Sequence, residues 1–122
     1  HSYSTVFGAI QDAAVTALTL PTARLAQLVS VYHQRRERVL HRLAALRWPV
    51  GEKQGTFFLW LAVPPAFSSQ QFAQLLLQEA HVLVAPGAGF GPGGEGFIRI
   101  SLTAGDDALQ SALDRIAGLH LF

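Results

Sequence analysis

The stretch that most limits the fold is a run of glycine and proline set between two apolar segments, Val84-Ala85-Pro86-Gly87-Ala88-Gly89-Phe90-Gly91-Pro92-Gly93-Gly94-Glu95-Gly96-Phe97-Ile98-Arg99-Ile100-Ser101-Leu102. Proline lacks the amide donor of helices and ladders, and glycine loses the most backbone entropy on ordering, so no regular element passes through residues 86–96. The apolar runs on either side are separate elements, joined by a loop with little side-chain bulk. Such a loop is shaped for close backbone approach. Along residues 97–102 the side chains alternate, so Ile98, Ile100 and Leu102 share one face and Phe97, Arg99 and Ser101 the other. The first face is core. The second holds a guanidinium between an aromatic ring and a hydroxyl, and its planar fork of donors suits a carboxylate. Geometry alone leaves Arg99 open to two readings, a solvated charge on an exposed strand face or an anion grip beside a bare loop.

The loop also spells G-x-G-x-x-G over residues 89–94. That pattern binds a dinucleotide only where a helix follows it, because the helix N-terminus holds the pyrophosphate. Here a β-branched, alternating segment follows and Pro92 stiffens the middle, which argues against a nucleotide.

The chain has 122 residues, half of them hydrophobic and 14% charged, enough for one domain with a real core. A formal net charge of +1 gives no electrostatic reason to expect nucleic acid or an anionic membrane. Cysteine is absent, which excludes disulfide and thiolate chemistry. The longest apolar run, residues 57–63, is too short to cross a bilayer. The chain begins at His1 and contains no methionine, so it is expected to be a piece of a longer polypeptide.

Ser4 or Thr5 can cap a first helix with Val6, Ile10, Ala13, Ala14, Ala17 and Leu18 at helical spacing, ended by Pro21. Thr22 can cap a long second helix over residues 23–46, with Leu25, Leu28, Val29, Tyr32, Val39, Leu40, Leu43 and Leu46 as its apolar stripe. Arg35, Arg36, Arg38, Arg42 and Arg47 read as its solvated face rather than a nucleic-acid patch, since no aromatic interleaving accompanies them. Residues 56–63 form a strand apolar on both faces, hence central or covered. Ser68 or Ser69 caps a helix over residues 70–80 that buries Phe72, Leu75, Leu76 and Glu79 positions. A short strand over residues 81–85, the glycine loop and a third strand over residues 97–102 follow. Thr103 can cap a last helix over residues 105–119, with Asp106 and Asp107 in its first turn and Leu109, Leu113 and Ile116 facing inward. The expected fold is α+β, a small and mainly antiparallel sheet of about three strands covered by helices, one of them long.

The turn Ala85-Pro86-Gly87-Ala88-Gly89-Phe90-Gly91, with Arg99 following inside Ile98-Arg99-Ile100-Ser101-Leu102, resembles the C-terminal signature of the class I/II, fold-type I aminotransferases. Gly55-Thr56-Phe57-Phe58 sits where that family has its Gly-x-Phe/Tyr strand, and Val6-Phe7-Gly8-Ala9-Ile10-Gln11 resembles the helix that closes its large domain. The resemblance implies that residues 1–20 end the large domain and residues 21–122 form the small one. It implies that Arg99 binds the α-carboxylate of an amino-acid or 2-oxo-acid substrate, with Phe57, Gly89 and Phe90 as further site-lining candidates. It also implies pyridoxal 5'-phosphate as cofactor, a homodimer with His1 to Ser4 near its interface, and a cytoplasmic enzyme without nucleic-acid or membrane partners. Such enzymes need a Schiff-base lysine, and the single lysine here, Lys53, lies between Glu52 and Gln54 in a turn rather than in the family's lysine motif. The chain alone is therefore expected to be inactive and not to hold the cofactor, which belongs with the large domain of the same polypeptide.

Two other readings stay open at this point. One is a stand-alone α+β module that holds a small acid through Arg99. The other is the effector domain of a transcription regulator built on the aminotransferase fold. The histidines lack metal-ligand spacing, and no serine sits in a nucleophile elbow.

Overall fold

The computed structural model describes residues 21–52 and 54–122. The helix expected across residues 6–18, the segment His1 to Ser4 and Lys53 lie outside the described residues. The described elements are α1 (Thr22–Ala45), β1 (Phe58–Ala62), α2 (Ser69–Ala80), β2 (Ala85–Pro86), β3 (Phe97–Ser101) and α3 (Asp106–Ala117). The strands form one antiparallel sheet in the order β1-β3-β2, so the strand carrying Arg99 is the central one. The fold is α+β, with a long first helix, as the sequence pattern predicts.

The register explains which side chains go inside. Leu59 pairs with Ile100 and Leu61 with Ile98, and this face packs under the helices. Leu43 of α1, Phe72 and Leu76 of α2, and Leu59, Leu61, Ile98 and Leu102 are all fully buried. From α3, Leu109, Leu113 and Ile116 close the core as expected. Trp48 is buried as well, edge-on to Phe72, and its indole N–H donates to the Ala62 carbonyl at 2.7 Å. β1 is an edge strand, not a central one, but its outer edge is covered by the preceding segment. Gly51 N–H donates to the Trp60 carbonyl, and Ala62 N–H to that of Pro49.

Several local expectations change in the structure. His81 takes a left-handed conformation (φ 55°) that closes α2, and Val82 N–H reaches back to the Leu76 carbonyl. Residues 81–84 are used in leaving the helix, so the strand begins only at Ala85. It ends at Pro86, which has no amide to extend the ladder. Ser68 caps α2 in a reciprocal box with Gln71, but Glu79 is exposed and Ala73 and Ala80 are buried in its place. Pro21 and Gly105, not Thr22 and Thr103, precede α1 and α3, and neither helix has a side-chain cap. Thr103 instead turns its backbone N–H onto Ser101 Oγ at 3.1 Å. On α1, Val29 faces solvent rather than the core.

Arg47 is exposed as expected, but three arginines of α1 are engaged with α3 rather than with water alone. Arg35 Nε and an Arg38 terminal nitrogen both donate to the Asp106 carboxylate, at 3.2 and 2.7 Å. Arg35 also donates to the Leu102 carbonyl, and Arg42 to Gln110 (2.7 Å) and Asp114 (2.5 Å). Asp106, Gln110 and Asp114 recur every fourth residue along one stripe of α3, and the arginines recur at matching helical spacing on α1. A polar seam therefore joins the two helices above their apolar contact.

Candidate functional site

Arg99 lies at the middle of β3, opposite Trp60 of β1 and Ala85 of β2. Because strand side chains alternate, Phe58, Trp60, Phe97 and Ser101 share its face of the sheet, away from the core. Its guanidinium carbon sits over three rings, 4.2 Å from the centre of Phe90, 4.7 Å from Phe58 and 5.8 Å from Trp60. The rings brace one another: Trp60 meets Phe90 edge-to-face at 5.3 Å and Phe58 at 6.4 Å. An arginine over aromatic faces is held by the ring quadrupole, and the rings take up none of its oxygen-seeking donors. Partial burial lowers the Arg99 pKa from its ordinary value, a sign that water has been removed from a charged group. A guanidinium remains charged at any physiological pH, so the arrangement favours an anion.

The glycine loop positions one of those rings. It folds as two short 3₁₀ turns, Gly87–Phe90 and Pro92–Gly94, that lie against each other. A Cβ on Gly87 would fall on the Gly94 carbonyl oxygen and 2.5 Å from that of Phe97. Its close backbone approach is therefore to itself. Gly91 at the hinge has φ 109°, which favours glycine. The loop is tied to α2 through Glu95, whose carboxylate accepts from Ser69 N–H at 2.9 Å and Ser69 Oγ at 2.7 Å. The same hydroxyl accepts from Ala88 N–H at 3.1 Å. The Ser69 hydroxyl and backbone bonds, with one from the Gly96 backbone, hold the Glu95 carboxyl below its usual pKa.

Of the side chains singled out from the sequence, Phe90 stands against Arg99 and Gly89 lies on the same loop, with open space where its Cβ would be. Phe57 is elsewhere. It packs against the core and meets Tyr32 edge-to-face at 4.8 Å, on the opposite side of the strand. Its neighbour Phe58, and Trp60, take the places beside Arg99. Period-two alternation in residues 57–62 separates the two sets, but only the pairing with β3 assigns them to faces. Ser101 is turned to Thr103, its Oγ 2.5 Å from Thr103 Oγ1. A groove of about 640 Å³ opens beside the rings, between Phe90, Gly93 and Gly94 on one side and Pro49 to Glu52 on the other, with Trp60 and Phe97 as its floor.

The model for aminotransferase class I and II matches residues 1–116 of this chain. The chain belongs to the class I and II aminotransferases. An LL-diaminopimelate aminotransferase of Nostoc is 39% identical over 93% of the chain and 29% of its own length. The L-glutamine–4-(methylsulfanyl)-2-oxobutanoate aminotransferase of Bacillus subtilis is 38% identical over all of the chain and 31% of its own length. Among solved structures, an aminotransferase from Staphylococcus aureus superposes with a TM-score of 0.78 at 40% identity, over 93% of this chain and 30% of that one. The chain thus spans about 30% of the length of these relatives.

Aminotransferases of this family work with pyridoxal phosphate. The described residues do not fit that group: none is a lysine, and Arg35, Arg38 and Arg42 are bonded to the acids and amide of α3 rather than assembled as a phosphate cradle. No cluster of histidine and acidic side chains suited to a metal occurs among them either. Nor is any helix among them long and apolar enough to cross a membrane.

Proposed function

We propose that this chain is the small C-terminal domain of a pyridoxal-phosphate-dependent aminotransferase, and that Arg99 grips the substrate α-carboxylate. In this reading residues 21–122 form the small domain and residues 1–20 lead from the large one. The observation that carries the proposal is the Arg99 guanidinium, partly desolvated on the outer face of the central strand and set over the rings of Phe58, Trp60 and Phe90. Two parallel hydrogen bonds from the fork to a carboxylate fix the orientation of the acid as well as its position. That binding energy orients the substituents on the substrate Cα and favours closure of the small domain over the site.

The cofactor supplies the electron sink for amino-group transfer when bound, and we assign its lysine, ring-nitrogen partner and phosphate ligands to the large domain. The 122 residues alone are then inactive, and the working unit is the whole polypeptide, as a homodimer. The test is to express the full-length protein, look for the absorbance of bound pyridoxal phosphate, and screen amino donors. The names of the relatives make LL-diaminopimelate and L-glutamine the first two to try. Cofactor absorbance that amino donors bleach supports the proposal, and a full-length protein that binds no cofactor contradicts it.

A further inference from the structure

We infer that Phe90 is a positioning residue, which holds the Arg99 guanidinium ready for the incoming acid group; the inference rests on the carboxylate-binding role proposed for Arg99. Phe90 is a large apolar side chain at an exposed loop position, 38% accessible, and takes no part in the hydrophobic core. Among the described residues its ring meets Trp60 and Arg99, and it is the nearest of the three rings to that guanidinium. The loop thus sets an aromatic face 4.2 Å from the Arg99 guanidinium carbon, within cation–π range.

The loop gives that ring a fixed place. Gly87 against Gly94 sets the fold of the two short turns, and the bonds from Ser69 to Glu95 and from Ala88 to Ser69 fasten them to α2. Phe90 is thereby held from its own side of the site, and Trp60 braces it from the sheet. A free arginine has many rotamers and would have to be ordered when the acid arrives. Over three rings joined through Trp60 much of that ordering is complete beforehand, and the rings consume none of the N–H donors that a carboxylate needs. Phe90 therefore acts on acid binding and not on the chemical steps that follow. Its attraction for the cation comes from the π face, so an aliphatic side chain of similar size does not replace it.

The experiment uses the full-length, cofactor-loaded protein and the L-amino acid that best supports amino transfer in a screen of wild-type enzyme. KM, kcat and melting temperature are compared for wild type, R99K, F90L and F90Y. F90L should raise KM about tenfold, the effect of losing one desolvated cation–π contact, with kcat changed less than twofold and the melting temperature unmoved. F90Y, which keeps the π face, should return KM to within about twofold of wild type. An F90L variant with unchanged KM, or an F90Y variant no better than F90L, overturns the role of Phe90. If R99K raises KM in the same series, the Arg99 reading survives that loss. If R99K also leaves KM unchanged, or no amino acid serves as donor, the proposed function itself fails.

Discussion

Gly87 and Gly94 meet backbone to backbone: a Cβ on either would fall on the other's carbonyl oxygen. Neither atom belongs to a side chain that can swing away, so the clash has no inexpensive relief. Gly87→Ala should cost about 3 kcal/mol of stability, the upper range for overpacking a filled site. At Gly89, two residues on, an added Cβ meets nothing within 4 Å, and Gly89→Ala should change stability by less than about 0.5 kcal/mol. Denaturant unfolding of the two variants distinguishes them, and equal effects would mean that the two turns do not pack as described.

The Ser69 hydroxyl is fully buried and serves the loop twice, as donor to Glu95 and acceptor from Ala88. Ser69→Ala leaves both partners short of a bond and should cost about 1–3 kcal/mol. The sharper readout is local. Hydrogen exchange at the Ala88 amide should accelerate in the variant, whereas amides in α1 keep their protection. An unchanged Ala88 amide would contradict the clasp.

Asp106 has a pKa below the ordinary carboxylate value, first through its hydrogen bond from Arg38 and then through the charges of Arg38 and Arg35. A group whose folded pKa is depressed contributes stability that is present above its unfolded value and lost as pH falls through the folded one. The α1–α3 seam should therefore weaken only in acid, below the usual titration range of aspartate. Asp106→Asn should lower the melting temperature by a few degrees at neutral pH and flatten its decline in acid. Glu95, also depressed, keeps part of that decline in the variant. A decline as steep as in wild type would rule out a contribution from Asp106.

Much of the fold was legible because it follows from local pattern. The serine pair at 68 and 69 announces the start of α2, the spacing of Leu109, Leu113 and Ile116 fixes the inner face of α3, and alternation in residues 97–102 separates Ile98 from Arg99. What was not legible depends on pairing between distant segments. Nothing in residues 57–60 says which of Phe57 and Phe58 stands beside Arg99, because a one-residue change of register exchanges the two faces. Arg35, Arg38 and Arg42 look alike whether they face water or the acids of a helix some seventy residues away. The glycine loop advertised a close approach, but only three dimensions show that the approach is internal. The left-handed turn at His81, a residue type without glycine's freedom, likewise hid the late start of β2.

The central claim is that Arg99 receives the carboxylate of the substrate, and Arg99→Lys in the full-length, cofactor-loaded protein tests it most directly. Lysine keeps the charge but removes the planar fork, so a two-bond grip becomes a single point contact. The amino-donor KM should rise about 10- to 100-fold, the cost of one charge-assisted hydrogen bond, while the cofactor absorbance remains. A KM within twofold of wild type, with the cofactor still bound, would contradict the account.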